Sequence, residues 1–193
     1  SNRLATTGSL SIAGGMLDLG GYSQTLSGVI TLAGGSVRNG TLLNTGTAFN
    51  ALAGTVQAVL AGTLGLVKTS AGALTLTGTN TYSGATTLTG GSLILAGGSS
   101  RLAATSTLNL SGGILDLGGN SQTTSGVITL SGGTIQNGIL ASTGTVFLMQ
   151  GGRVSATLAG TYGLTKSTSA SLTLLGANTF SGPIIVSSGV LSV

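Results

Sequence analysis

The sequence predicts an all-β chain wound into a parallel β-helix (a β-solenoid) of about ten rungs of about 20 residues each. Three observations lead there. Residue n resembles residue n+98 without a single insertion, and 51 of the 95 aligned pairs are identical. Inside each unit a glycine-centred phrase returns every 18 to 22 residues. Around those glycines apolar and polar residues alternate with period two, the signature of strands rather than helices.

The long repeat is plainest where GGMLDLGGYSQTLSGVITLAGG (14–35) meets GGILDLGGNSQTTSGVITLSGG (112–133). Such self-similarity means either a quasi-one-dimensional stack or two tandem globular domains. The shorter period decides for the stack. It runs through IAGGML (12–17), LAGGSV (32–37), LAGTV (52–56), SAGAL (70–74) and LTGGSL (88–93). In the second unit it continues through LSGGIL (110–115), LSGGTI (130–135), GGRV (151–154), SASL (169–172) and VSSGVL (186–191). The chain thus divides into a first unit of five rungs, 1–98, and a second, 99–193, within one continuous β-helix.

The alternation assigns the faces. Leu10 and Ile12, then Leu17 and Leu19, point inward, while Ser11 and Asp18 point out. Thr, Val, Ile and Leu fill the strands, and Gly, Asn and Ser fill the bends between about three short strands per rung. Stacked at about 4.8 Å, ten rungs make a rod about 48 Å long. A rung must present the residue types of the rungs it covers, so phrases recur, and like charges in register would repel.

Composition narrows the chemistry. Only 4% of residues are charged, the acids are Asp18 and Asp116 alone, and there is no His, Cys or Trp. Proton-transfer catalysis draws mostly on the residue types that are scarce or missing here. Asp18 and Asp116 hold equivalent places five rungs apart, about 24 Å along the axis, so they cannot form the close carboxylate pair of a glycosidase. No catalytic, cofactor-binding or metal-binding residue is predicted; calcium-binding nonapeptide repeats would need an Asp in every repeat. Mean hydropathy is +0.56, yet no apolar run approaches the roughly 20 residues of a spanning helix. Aromatic residues at 3% are too few for the girdles of a membrane barrel.

The basic residues, Arg3, Arg38, Lys68, Arg101, Arg153 and Lys166, are scattered singly and read as solvated surface groups, with no nucleic-acid patch. Asn39, Asn80, Asn137 and Asn178 read as polar corner residues that cap backbone groups. No signal peptide is visible in SNRLATT. Neither terminus resembles a cap, so the expectation is an excerpt of a longer rod or a subunit that stacks end to end.

Two segments carry a family resemblance. LVKTSAGALTLTGTNTYSGATTLTGGSLIL (66–95) and LTKSTSASLTLLGANTFSGPIIVSSGVLSV (164–193) resemble the autotransporter-associated β-strand repeat, also called the passenger-associated transport repeat. The matching positions in the first are Lys68, Gly72, Leu74, Leu76, Gly78, Asn80, Tyr82, Ser83 and Gly84. In the second they are Lys166, Leu172, Leu174, Gly176, Asn178, Phe180 and Gly182, with Ala170 and Pro183 as departures. The resemblance implies a right-handed β-helix from the secreted passenger of an autotransporter, on the bacterial surface or released, meeting the outer membrane only during export. The residues matched would be structural.

The functional expectation is a non-catalytic structural or adhesive stalk that folds rung by rung on export. Its partners would be a host or cell surface, with polysaccharide as a further candidate, or other copies of itself. One alternative is a self-assembling extracellular fibre; another is a ligand- or ice-binding Thr-rich face, suggested by Thr75, Thr77, Thr79 and Thr81.

Overall fold

The structure, a computed structural model, describes residues 2–193. Those residues form strands and bends without a helix, joined in a single sheet of 20 strands. Every pairing is parallel and joins a strand to its counterpart one turn later, giving a solenoid of about ten turns, roughly 19–20 residues each. Individual turns depart from that mean, from Asn50 facing Val67 to Leu108 facing Thr86.

Each turn has three sides. The first carries Leu10–Ile12, Leu66–Lys68, Thr86–Leu88, Leu108–Leu110, Ile128–Leu130, Phe147–Met149, Leu164–Lys166 and Ile184–Val186, with the opening residues of Ile30–Asn44 and Phe49–Val56. The second carries Ala73–Leu76, Ser92–Leu95, Gly152–Val154, Ser171–Leu174 and Val190–Ser192, together with parts of longer strands. The third holds Val59–Gly62 and Thr157–Gly160 and the closing parts of Met16–Leu26, Ile30–Asn44, Ile114–Thr124 and Thr134–Ser142.

Alternation sorts the side chains as the sequence predicts. In Leu108–Leu110 the two leucines are buried and Asn109 is half exposed, and the same pattern recurs in Ile128–Leu130 and Phe147–Met149. Because pairing is in register, inward residues stack into columns: Leu17 on Val37, Val37 on Val56, Val56 on Leu76 and Leu76 on Leu95. These columns form one continuous apolar core. Aromatic rings join it in matched pairs, Phe49 with Tyr82 at 6.5 Å and Phe147 with Phe180 at 5.9 Å between centroids.

The structure departs from the expectation of about three strands per rung on the third side of several turns. Residues 79–82 and 177–180, in the turns bearing the family motifs, form no strand there, and neither do residues 99–103. Longer strands elsewhere pass through corners unbroken, as Ile30–Asn44 does over 15 residues. Among the described residues no helix is long and apolar enough to cross a membrane.

Candidate functional site

The two motif-bearing turns are the most distinctive chemistry in the rod, because each buries a lysine at one corner and places a bridging asparagine at another, buried in the first turn and half exposed in the second. At the first corner, Leu66 and Lys68 share parity in a three-residue strand, so both point inward. Lys68 occupies a core column: Phe49 faces Leu66 and Asn50 faces Val67, which sets Ala51 beneath Lys68, and Leu88 lies above it. Its side chain is fully buried, as is that of Lys166. This corrects the expectation of solvated lysines; in a period-two strand, a residue two places from a buried Leu shares its face.

The lysine fits because the corner is enlarged. Only four residues separate Ala51 from Val56, whereas seven separate Lys68 from Leu76, the partner of Val56. Into this bay the Lys68 ammonium donates to the Ser70 carbonyl, to Ser70 Oγ at 3.1 Å and to the Gly90 carbonyl of the next turn at 3.3 Å. Ser70 Oγ donates in turn to the Leu52 carbonyl of the preceding turn at 2.6 Å. Lys166 repeats the arrangement with the Thr168 carbonyl, Thr168 Oγ1 at 3.1 Å and the Ser188 carbonyl at 3.2 Å, and Thr168 Oγ1 donates to the Gln150 carbonyl. No carboxylate takes part in either, and burial lowers the Lys68 pKa from the ordinary lysine value.

The other corner is organised by Asn80. Its Oδ1 accepts the Leu60 N–H of the preceding turn at 2.8 Å, and its Nδ2 donates to the Arg101 carbonyl of the following turn at 2.7 Å. The side chain thus supplements the sparse backbone bonds of this side, in which the Thr81 N–H donates to the Leu60 carbonyl at 2.9 Å and the Asn80 N–H to the Arg101 carbonyl at 3.4 Å. Asn178 accepts the Leu158 N–H at 2.9 Å in the same way. Tyr82 is buried with its hydroxyl 2.7 Å from Thr86 Oγ1, and Thr86 lies 3.3 Å from Ser106 Oγ, which donates to the Gly84 carbonyl. Burial pushes the Tyr82 pKa up to about 12, against the opposing hydrogen bond with Thr86. In the second copy Phe180 and Ile184 replace Tyr82 and Thr86, so the hydroxyl pair is lost from both sides together.

Leu74, Leu76, Leu172 and Leu174 are core residues. The motif glycines stand where neighbouring turns nearly touch: a Cβ on Gly84 would lie 2.3 Å from the Gly65 nitrogen, and one on Gly182 2.2 Å from the Gly163 nitrogen. Gly78 and Gly176 are equally close to the Ala58 and Ala156 carbonyls, and Gly72 packs against Ala53. Sequence reasoning did not single out Gly91 and Gly189, which adopt positive φ and leave room for the ammonium groups; a Cβ there would lie 2.7 Å from Lys68 Nζ and 2.8 Å from Lys166 Nζ. The signal was present in the motif's later glycine, one turn beyond the lysine.

The carboxylates and their partners lie at or near the surface, whereas Gln24, Asn44, Gln122, Thr124 and Ser142 are buried at other corners. Asp18 accepts the Gly20 N–H, Asn39 Nδ2 and Arg38 Nε, in that order holding its pKa below the usual aspartate value. Burial works to raise the Asp116 pKa, but hydrogen bonds from Gln136, the Gly118 N–H and Asn137 outweigh it and leave the value lowered. Asn39 and Asn137 do sit at left-handed corners. Their side chains bond these carboxylates, correcting the expectation that they cap backbone groups. Arg101 donates to the Gly97 and Gly98 carbonyls and to Thr79, and Arg3 lies over the Tyr22 ring. Threonines do not form one array: the outward row Thr31, Asn50, Val67, Thr87, Asn109 mixes types. Among the described residues no cluster of His, Cys, Asp or Glu could hold a metal ion.

Residues 66–95 and 164–193 match the family model of the passenger-associated-transport-repeat. A stretch of 89 residues, 46% of this chain, is 36% identical to an adhesin, the BmaC autotransporter of Brucella suis biovar 1 (strain 1330), and covers 3% of that protein. The chain therefore spans a small fraction of the relative's length. No solved structure matches the chain.

Proposed function

We propose, from the premise that both clamped turns are passenger-associated transport repeats, that this chain is part of the rod of a secreted bacterial surface passenger. Its role is structural or adhesive, and it is not catalytic. The observation that carries this reading is the coincidence of the two family matches with the two turns whose buried Lys and corner Asn bond to adjoining turns. The similarity to an autotransporter adhesin supports a partner on a host or cell surface. Export fits the same picture: each turn that forms outside presents a paired edge and a column of Leu and Val to the next, so folding opposes backsliding. The two five-rung units, 1–98 and 99–193, would act as one rod in this process.

The test is adhesion of beads coated with the purified chain to host cells, together with an assay against a panel of polysaccharides. Saturable adhesion supports the adhesive role, and inert, monodisperse rods support the stalk. Hydrolysis of any polysaccharide would overturn the non-catalytic reading.

A second reading is copies stacked end to end into a fibre, since the paired edge of a parallel stack can be extended by another copy as well as by a further turn. Electron microscopy separates the two, since filaments with a 4.8 Å axial repeat support stacking and discrete rods of about 5 nm oppose it.

A further inference from the structure

The buried lysines raise a question that the apolar columns leave unanswered, namely what fixes the register of one turn on the next. A slip of one residue is forbidden because it turns every inward side chain outward, but a slip of two preserves the alternation. This chain shows that a two-residue displacement can be housed. Leu115 is the counterpart of Leu17 in the second unit, yet it stands over Leu93 rather than over Leu95, where the column from Leu17 through Val37, Val56 and Leu76 leads. Apolar burial alone therefore leaves the stacking degenerate.

We propose that Lys68 and Lys166 are register pins, each selecting one alignment of its turn on the following one by making the two-residue alternatives bury an ammonium without the carbonyl that the following turn supplies. In the observed register Lys68 faces Leu88, and its Nζ reaches the carbonyl of Gly90, two residues further on. A two-residue slip moves that carbonyl about 6.6 Å along the strand, beyond hydrogen-bond reach. It also replaces Gly91, whose missing Cβ makes room for the ammonium, by Thr89 or Leu93. The ammonium would then be fully buried against a side chain with one fewer partner, which is far costlier than a lost apolar contact.

Both copies carry the device in the same form: lysine in the enlarged corner, a carbonyl from Gly90 or Ser188, and a positive-φ glycine at 91 or 189. No other titratable or charged group faces Lys68 from the strands packed against it, Phe49–Val56, Ala73–Leu76, Thr86–Leu88 and Ser92–Leu95. The pin thus works through carbonyl geometry and not through an ion pair. A buried charge used in this way gives up stability in exchange for a single structure.

The chain has no cysteine, so engineered pairs can report register. Outward Val67 and Thr87 are partners across the first side, and Cys at both positions has a Cα separation of about 4.8 Å, suited to a disulfide. Pairs V67C/A85C and V67C/T89C are displaced by two residues, about 8 Å apart, and bridge only in a slipped turn. In the parent background, oxidation should trap V67C/T87C alone. Adding Lys68→Met, which fills the space without a charge, should raise the yield of a slipped pair at least tenfold while the β circular dichroism and melting temperature are kept or improved. Native-only bridging in the Met variant would overturn the pin, including the case where the melting temperature falls and the lysine is only a stabilising contact. Should the Met variant lose its β signal, Lys68→Gln, neutral but still a donor, is read by the same pairs, and native-only bridging there overturns the proposal equally.

Discussion

Lys68 and Tyr82 show how single residues in this rod carry information that composition hides. Tyr82 is fully buried, and its pKa, raised to about 12 from 10.0, makes it a reporter of alkaline unfolding. A group raised in the folded state contributes stability that is complete below the unfolded value and lost as pH climbs through the folded one. Stability should therefore fall between about pH 10 and pH 12 by on the order of 2–3 kcal/mol from this residue. Denaturant melts of Tyr82→Phe should lack that alkaline loss, and an unchanged profile in the variant would remove Tyr82 as its source. At the acid end Asp18 and Asp116, both with lowered values, hold their contribution above about pH 3.8 and lose it as pH drops further. The inward leucines were legible from alternation alone. Lys68 was legible too, since it stands two places from Leu66, but its charge argued for the surface until the enlarged corner and its carbonyl acceptors were seen.

Among the elements, the motif-bearing turn differs from its neighbours in what joins it to them. In most turns strand pairing on three sides does the joining; here the third side is a loop with a few backbone bonds, and Asn80 adds an acceptor to one neighbour and a donor to the other. Removing it by Asn80→Ala leaves the Leu60 N–H without its partner, costing about 1–3 kcal/mol if water cannot reach it, whereas the Arg101 carbonyl keeps the residue-80 backbone N–H at 3.4 Å. Faster hydrogen exchange at the Leu60 amide, with Leu32 unchanged, would locate the loss. Equal protection at both in the variant would mean that backbone rearrangement replaces the side chain. Gly84→Ala tests the other close approach, because a Cβ 2.3 Å from the Gly65 nitrogen forces the turns apart. A fall of roughly 1–3 kcal/mol or more is expected, read as a lower denaturant midpoint. The sequence showed glycine, asparagine and the corner positions, and it placed strands on two sides of each turn well. It could not show that the third strand is missing beside Asn80, because the loss depends on hydrogen bonds to residues about 20 positions away.

For the molecule as a whole, contact between turns is one-dimensional. Every strand pairing joins adjacent turns, so a turn has no direct contact with one several turns away. The period of about 20 residues inside the 98-residue repeat made this architecture readable from the sequence, since the long repeat alone would equally suit two tandem domains. Its two-residue displacement on the second side was not readable, because alternation is blind to shifts of two. Stability in such a stack is a sum of turn and nearest-interface terms. Asn80 and Asn178 lie in motif-bearing turns 98 residues apart and share no bonding partner. Their alanine variants should therefore add, the double variant losing the sum of the single losses to within about 0.3–0.5 kcal/mol. Equilibrium denaturation of the four proteins in the cycle measures this. A coupling above about 1 kcal/mol would mean that strain passes along the core column from one motif-bearing turn to the other, and the turns would then have to be treated as one cooperative body.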